Sequence, residues 1–308
     1  MQNLNQKTIL RPIDFEGIGL HSGNTSRIKI LPANDNDGII FKRIDLKENN
    51  LIKANYKNVS SAKLCTTLSN DFGATVSTVE HLMAAFYITG VDNAIVEIDN
   101  SELPIMDGSS KDFVNLIITA GTKILFSKRK FLKIIKKVEL KEENKYISIE
   151  PGINGLDVDF QLEYKNETIG NQKNHVIFNN ENLEEIYSSR TFCLFEDIEK
   201  IKKIGLAKGG SLENAVVVKN NSVLNEEGLR NKKEFVNHKI LDLVGDFMLS
   251  GYRILGSVKC TQGGHHLSNF FLKELFEDQS NFQELIINNI NIVEKKYKTP
   301  VNKLAVNA

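Results

Sequence analysis

The chain carries no net charge: 39 Lys and Arg stand against 39 Asp and Glu over 308 residues. That balance gives no bulk attraction for nucleic acid or an anionic membrane. No run approaches the roughly 20 apolar residues of a membrane span, so stable membrane insertion is not expected. The opening MQNLNQKTIL lacks the apolar core of a signal peptide. Cysteine is scarce too. Cys65, Cys193 and Cys260 are odd in number, far apart and without a CxxC pair. They provide no disulfide framework and fit a reducing cytoplasm as small buried side chains. What remains is an ordinary globular composition, 41% hydrophobic and 25% charged. Its length exceeds what one core usually serves, so two domains are expected.

The first part is rich in short strands: FEGIGLH, RIKILPA, GIIFKRID and IKANYKN, broken by Gly, Asn, Asp and Pro. STVEHLMAAFYITG then predicts a helix that starts at Ser/Thr and ends at Gly90, and the strand NAIVEID follows. A second helix is expected in KDFVNLIITAG after the turn MDGSS. Lysine becomes dense at 122–137, which places a domain boundary there, with domain I at 1–125 and domain II at 126–308. The basic run KRKFLKIIKK alternates with apolar residues and reads as a strand with an exposed lysine face. Beyond it the pattern restarts. Strands are expected at KFLKIIKKVEL, YISIEP, LDVDFQLEY and HVIFNN, a helix at NLEEIYSS, and a strand at AVVVKN. The long helix EFVNHKILDLVGDFMLSG and the strand RILGSVKC follow.

Laying Gly90 on Gly251 aligns Phe86 with Phe247, Leu82 with Leu243 and Val79 with Ile240 without a gap. Both helices lead into a strand, which suggests a duplicated unit. In this register His81 falls on Asp242. If the two helices face each other across the domain interface, those side chains converge.

His238 and Asp242 lie four residues apart, hence on one helical face. That row is either a solvated stripe or a ligand set. With His81 it makes two imidazoles and one carboxylate, which suits catalytic zinc with a fourth position for water. It equally suits the facial triad of iron(II). Water on such a metal has its pKa lowered toward neutrality, and the adjacent Glu80 could take its proton. GGHHLSN adds His265 and His266 on a glycine turn, one of which could act as an acid or a further ligand. His21 in GIGLHSG is either a structural turn histidine or a site residue, and His175 reads as a plain strand histidine.

GIGLHSG, STVEHLMAA, ELPIMDGSS, SRTF, GLAKGGSLENAVV, VLNEEGLR, HKILDLVGD and GGHHLSN stand in one order across nearly the whole chain. In these motifs the chain resembles the zinc-dependent UDP-3-O-acyl-N-acetylglucosamine deacetylases of lipid A biosynthesis. The resemblance implies an α+β fold of two similar domains, each a mainly antiparallel sheet with two helices. The helix layers would pack between the two sheets. It implies an insert at about 193–222 that forms a passage for an acyl chain. It also implies hydrolysis of the N-acetyl group of UDP-3-O-(3-hydroxyacyl)-N-acetylglucosamine.

By motif, His81, His238 and Asp242 would hold Zn2+, with Fe2+ an alternative in the cell. Glu80 would be the general base and His265 the cationic acid, with Asp246 orienting it. Thr191 would help stabilise the oxyanion, and Lys239 would supply positive charge. Phe192, Leu194 and Gly210 would border the acyl passage, with Leu64 and Cys65 near the substrate. Phe160 would pack on uracil and Lys145 would approach the nucleotide. Some relatives carry lysine where this chain has Gln262, which here would lose a charge-assisted bond to diphosphate.

The competing reading is a non-catalytic nucleotide-lipid binding protein of the same fold. It needs neither a base nor an acid, and the sequence supplies both. The expected partner is the nucleotide-sugar substrate, with no nucleic acid. The chain is expected to be a cytoplasmic monomer with no dehydratase fused after Ala308, and the tail KLAVNA to serve as a protease entry point.

Overall fold

A computed structural model describes residues 4–287, apart from 154, 180 and 181. The KLAVNA tail lies outside the described residues.

One five-stranded sheet has the spatial order Ile13–Ile18, Thr25–Pro32, Ala94–Ile98, Ile39–Arg43, Leu51–Lys53. All its pairs are antiparallel except Ile39–Arg43 with Ala94–Ile98. Alternating burial along Thr25–Pro32 turns Ser26, Ile28 and Ile30 inward. A larger sheet repeats the plan. Val138–Glu142 pairs with Lys145–Pro151, which pairs with Arg253–Thr261, both antiparallel. Arg253–Thr261 then runs parallel to Leu156–Glu163, which pairs antiparallel with Asn171–Phe178. The same five-strand path thus occurs twice, as the Gly90–Gly251 overlay predicts. Lys130–Ile134 and Phe282–Ile286 extend the second sheet, and Asn5–Ile9 pairs with Thr122–Lys128. The boundary expected at 125/126 therefore falls inside a paired strand.

The helices are α1 (Glu80–Thr89), α2 (Lys111–Ala120), α3 (Glu184–Tyr187), α4 (Phe195–Lys203), α5 (Glu234–Met248) and α6 (His265–Glu277). In α1 every residue from Glu80 to Tyr87 is buried, and in α5 every residue but Lys239. Helices buried all round belong at the centre, and these two pack on each other. Each meets its following strand through a left-handed glycine, Gly90 (φ 77°) and Gly251 (φ 78°). Gly245 sets the closeness of the crossing. A Cβ there would stand 2.1 Å from the Glu80 carbonyl oxygen, so only glycine lets the start of α1 touch α5.

Three expectations change. KFLKIIKKVEL is two strands, because Ile135 and Lys136 turn their amides to the Asn281 carbonyl. Helix α1 begins at Glu80, since Ser77 is held in a strand pair with Thr67. His265 is the first residue of α6 rather than part of a turn, and Gly264 before it is extended. Helix α4 and the strand Phe282–Ile286 were not expected. Phe195, Ile198 and Ile201 of α4 recur at helical spacing, a short apolar stripe that sequence reasoning missed. In the insert, Phe192–Leu194 and Val216–Lys219 pair in parallel around α4. The insert is seated on the GIGLHSG loop: the Gly209 amide donates to the Leu20 carbonyl at 3.0 Å.

Candidate active site

Where α1 crosses α5, His81, His238 and Asp242 come together, all buried, with one ligand atom of each within 4.8 Å of the others. Asp242 Oδ1 lies 3.5 Å from His81 Nε2 and 3.4 Å from His238 Nε2. Two ligands on one tetrahedral zinc, each roughly 2.0–2.2 Å from it, stand about 3.3–3.6 Å apart. Asp242 Oδ1 is buried without a hydrogen-bond partner among the described residues, as an oxygen reserved for a cation would be. The donor set therefore fits a divalent metal.

The residues around it prepare the ligands. His238 Nδ1 faces the Ser189 carbonyl at 3.1 Å, so it must donate there and leave Nε2 as the free lone pair. Burial pushes the His238 imidazole down to about 3, keeping it neutral. The Ser189 carbonyl is itself pinned by its neighbour. Buried Arg190 binds Glu234 through Nε at 2.8 Å, and also reaches Glu227 and the Gly228 carbonyl. Burial opposes ionisation of Asp242, yet His238 and Lys239 hold its carboxyl well below the ordinary range. Lys239 Nζ donates to Asp242 Oδ2 at 2.8 Å, which leaves Oδ1 to face the imidazoles.

Beside this group stand a carboxylate and an imidazole. Glu80 Oε1 is 3.5 Å from His265 Nε2, and its Oε2 accepts from the Thr66 amide at 3.0 Å. Burial raises the Glu80 carboxyl, offset in part by His265 and His81. His265 Nδ1 donates to Asp246 Oδ2 at 2.9 Å. Burial alone would lower the His265 pKa, but Asp246, Glu80 and Asp242 outweigh it and raise it to about 10. Three carboxyl groups thus meet two cationic side chains in a buried place, leaving one negative charge over, which favours a bound cation. The segments that deliver Thr66, Glu80 and His265 follow left-handed residues Leu64 (φ 65°), Thr78 (φ 58°) and Gln262 (φ 54°). Such strain costs about 1–3 kcal/mol per residue and gathers at functional sites.

His265 faces the site, whereas His266 is exposed and turned toward Glu142. Thr191 is fixed on both sides, its amide donating to the Gly108 carbonyl at 2.7 Å and its carbonyl accepting from Val216 at 2.8 Å. Phe192 packs 4.9 Å from Phe235 and 6.3 Å from His238, between centroids, so the insert begins beside the ligand helix. Leu194 is half-buried on the same strand, and Gly210 lies near Leu20. Leu64 is exposed, and Cys65 is buried with its thiol pushed up to about 12, so it is inert. His21 Nδ1 accepts from the Ala207 amide of the insert at 3.4 Å, and its Nε2 is buried without a hydrogen-bond partner among the described residues. His175 is exposed and pairs with Asp157.

Phe160 departs from expectation. It is 1% exposed, packed beneath Gly263, and offers no free face for a uracil ring. Its place in the inward row of Leu156–Glu163 explains this. Lys145 is exposed at a strand start. Gln262 spends both ends of its amide on the Glu163 backbone, accepting at 2.7 Å and donating at 2.5 Å, so it closes the sheet end. Sequence reasoning missed Thr66, Ser189 and Gly245. Gly245 alone had a local signal, a glycine inside an apolar helix.

A buried His–His–Asp group that could hold a metal, flanked by a carboxylate and a cationic imidazole at the helix crossing of a duplicated α+β fold, is the arrangement that a metal-dependent hydrolase would use. The family model for LpxC, UDP-3-O-acyl N-acetylglycosamine deacetylase, matches residues 6–277. A protein of Pasteurella multocida named UDP-3-O-acyl-N-acetylglucosamine deacetylase is 38% identical over 304 residues, covering 98% of this chain and 99% of its own. Proteins of the same name from Actinobacillus succinogenes and Helicobacter pylori are 40% and 38% identical. They cover 91% and 92% of this chain, and 92% and 95% of their own. The chain belongs to the UDP-3-O-acyl-N-acetylglucosamine deacetylase family. No helix among the described residues is long and apolar enough to cross a membrane.

Proposed function

We propose that the chain hydrolyses the N-acetyl group of UDP-3-O-(3-hydroxyacyl)-N-acetylglucosamine, releasing acetate and a free amine, as the committed step of lipid A biosynthesis. The observation that carries this reading is the convergence of His81, His238 and Asp242 with Glu80 and His265 beside them. A binding protein needs no such base and acid.

His81, His238 and Asp242 would hold the metal, Zn2+ by donor set, with Fe2+ the alternative. When bound, such an ion lowers the pKa of water and polarises the amide carbonyl. Glu80, anchored by the Thr66 amide, takes the proton of the attacking water through Oε1. His265 carries the second proton. An amine leaves poorly unless protonated, and the cationic imidazole delivers that proton from Nε2 to the departing nitrogen. Asp246 holds the ring by Nδ1 and so aims Nε2. Thr191 donates to the developing oxyanion, and Lys239 balances Asp242.

The acyl chain runs between Phe192, Leu194 and Gly210, past Leu64 and Cys65, with Lys145 serving the nucleotide. The fold is read as two domains meeting near 125, and the enzyme as a cytoplasmic monomer whose tail controls turnover. Acetate release by wild type and Glu80→Gln tests the assignment. The expected outcome is a fall in kcat of about 10²–10⁴-fold with metal retained. Full activity in Glu80→Gln would remove Glu80 as the base.

A further inference from the structure

Thr66 lies on neither ligand helix and bears no charge, yet it touches both halves of the proton-handling apparatus. It is 1% exposed. Its amide donates to Glu80 Oε2 at 3.0 Å, and its hydroxyl donates to Asp246 Oδ1 at 2.6 Å. In each carboxylate Thr66 takes the outer oxygen. The inner oxygens address one imidazole: Glu80 Oε1 is 3.5 Å from His265 Nε2, and Asp246 Oδ2 is 2.9 Å from Nδ1. Thr66, Glu80, His265 and Asp246 therefore close a ring. It joins the loop after Leu64 to the starts of α1 and α6 and to the body of α5. The hydroxyl contact spans 180 residues of sequence.

We propose that Thr66 is a positioning residue for the reaction, fixing the base and the orienting carboxylate of the acid relative to each other. The inference rests on the functional reading above. An ionised carboxylate held at one oxygen only can turn about its last torsion, which for sp²-terminated side chains is broad. Without the Thr66 hydroxyl, Asp246 keeps His265 as a partner but loses the contact that sets its plane. His265 then samples orientations in which Nε2 no longer faces the leaving nitrogen. The hydroxyl's hydrogen bond goes to Asp246 and, among the described residues, not to a metal ligand, so its loss should spare metal binding.

Thr66→Ser and Thr66→Ala differ by one oxygen, and Thr66→Val repeats the deletion at nearly native volume. Acetate release, KM, bound metal and thermal melting are measured for all three and for wild type. The expectation is that Thr66→Ala and Thr66→Val lose about 10- to 100-fold in kcat, the usual scale for partners behind a metal site. KM and metal content stay within about twofold, and Thr66→Ser recovers most of kcat. Adding Thr66→Ala to Asp246→Ala should cost less than about twofold more, because the hydroxyl acts through Asp246. Full kcat in Thr66→Ala, an equal loss in Thr66→Ser, or a full additional loss in the double variant would overturn the role. Wild type that releases no acetate would overturn the functional reading as well.

Discussion

Helices α1 and α5 occupy the same place in the two copies of the five-strand plan, yet they supply the site by different geometry. On α1 the functional pair is adjacent, Glu80 and His81. Neighbours on a helix point about 100° apart, so the two side chains cannot share a task. His81 turns to Asp242 and Glu80 to His265. On α5 the spacing is four and four again: His238, Asp242, Asp246. That row runs about 6 Å per step along one face, so its first two members share the metal group and the third reaches His265. One helix separates roles by angle, the other by distance along its axis. Neither set completes the centre alone, and Gly245 lets them meet.

The strongest way to break this comparison is to remove a ligand from each side in turn. His81→Ala and His238→Ala should both lose bound metal and nearly all deacetylation. Retention of metal in either one would show that the centre belongs to a single helix. Asp246→Asn sharpens the distance argument. In the proposed mechanism His265 acts as the cation, so activity falls as pH rises past its pKa, which, against the effect of burial, its carboxylate neighbours hold above the ordinary imidazole range. Burial already lowers that pKa, and Asp246 is the foremost group holding it up. Removing the charge should move the alkaline limb of the kcat profile to lower pH, with kcat down about 10- to 100-fold and metal retained. An unmoved limb would take His265 out of the acid role. Gly245→Ala probes the crossing itself. Its new Cβ must displace the Glu80 backbone rather than a flexible side chain, so stability should fall by at least about 1–3 kcal/mol, as overpacking costs, with a parallel drop in metal affinity. A variant as stable and active as wild type would mean that the crossing has slack.

The repeated helix–glycine–strand pattern made the duplication legible, because Gly90 and Gly251 mark the same left-handed exit in both copies. Helical spacing made the His238–Asp242 row legible, and the overlay placed His81 opposite it. Long-range partners left no such trace. Thr66 sits in LCTTL, where nothing local shows that its hydroxyl meets a carboxylate 180 positions away. The Ser189 contact uses a backbone carbonyl, which any residue would provide. Phe160 shows the opposite failure. Its motif suggested a ligand face, but the inward phase of its strand buries it.

The central claim is that the row on α5 is a metal site completed from α1. The most direct test is to count bound metal and measure acetate release from UDP-3-O-(3-hydroxyacyl)-N-acetylglucosamine for wild type and Asp242→Ala. The account predicts one metal per chain and turnover in wild type, with both lost in Asp242→Ala. A metal-free wild type that still releases acetate would contradict it.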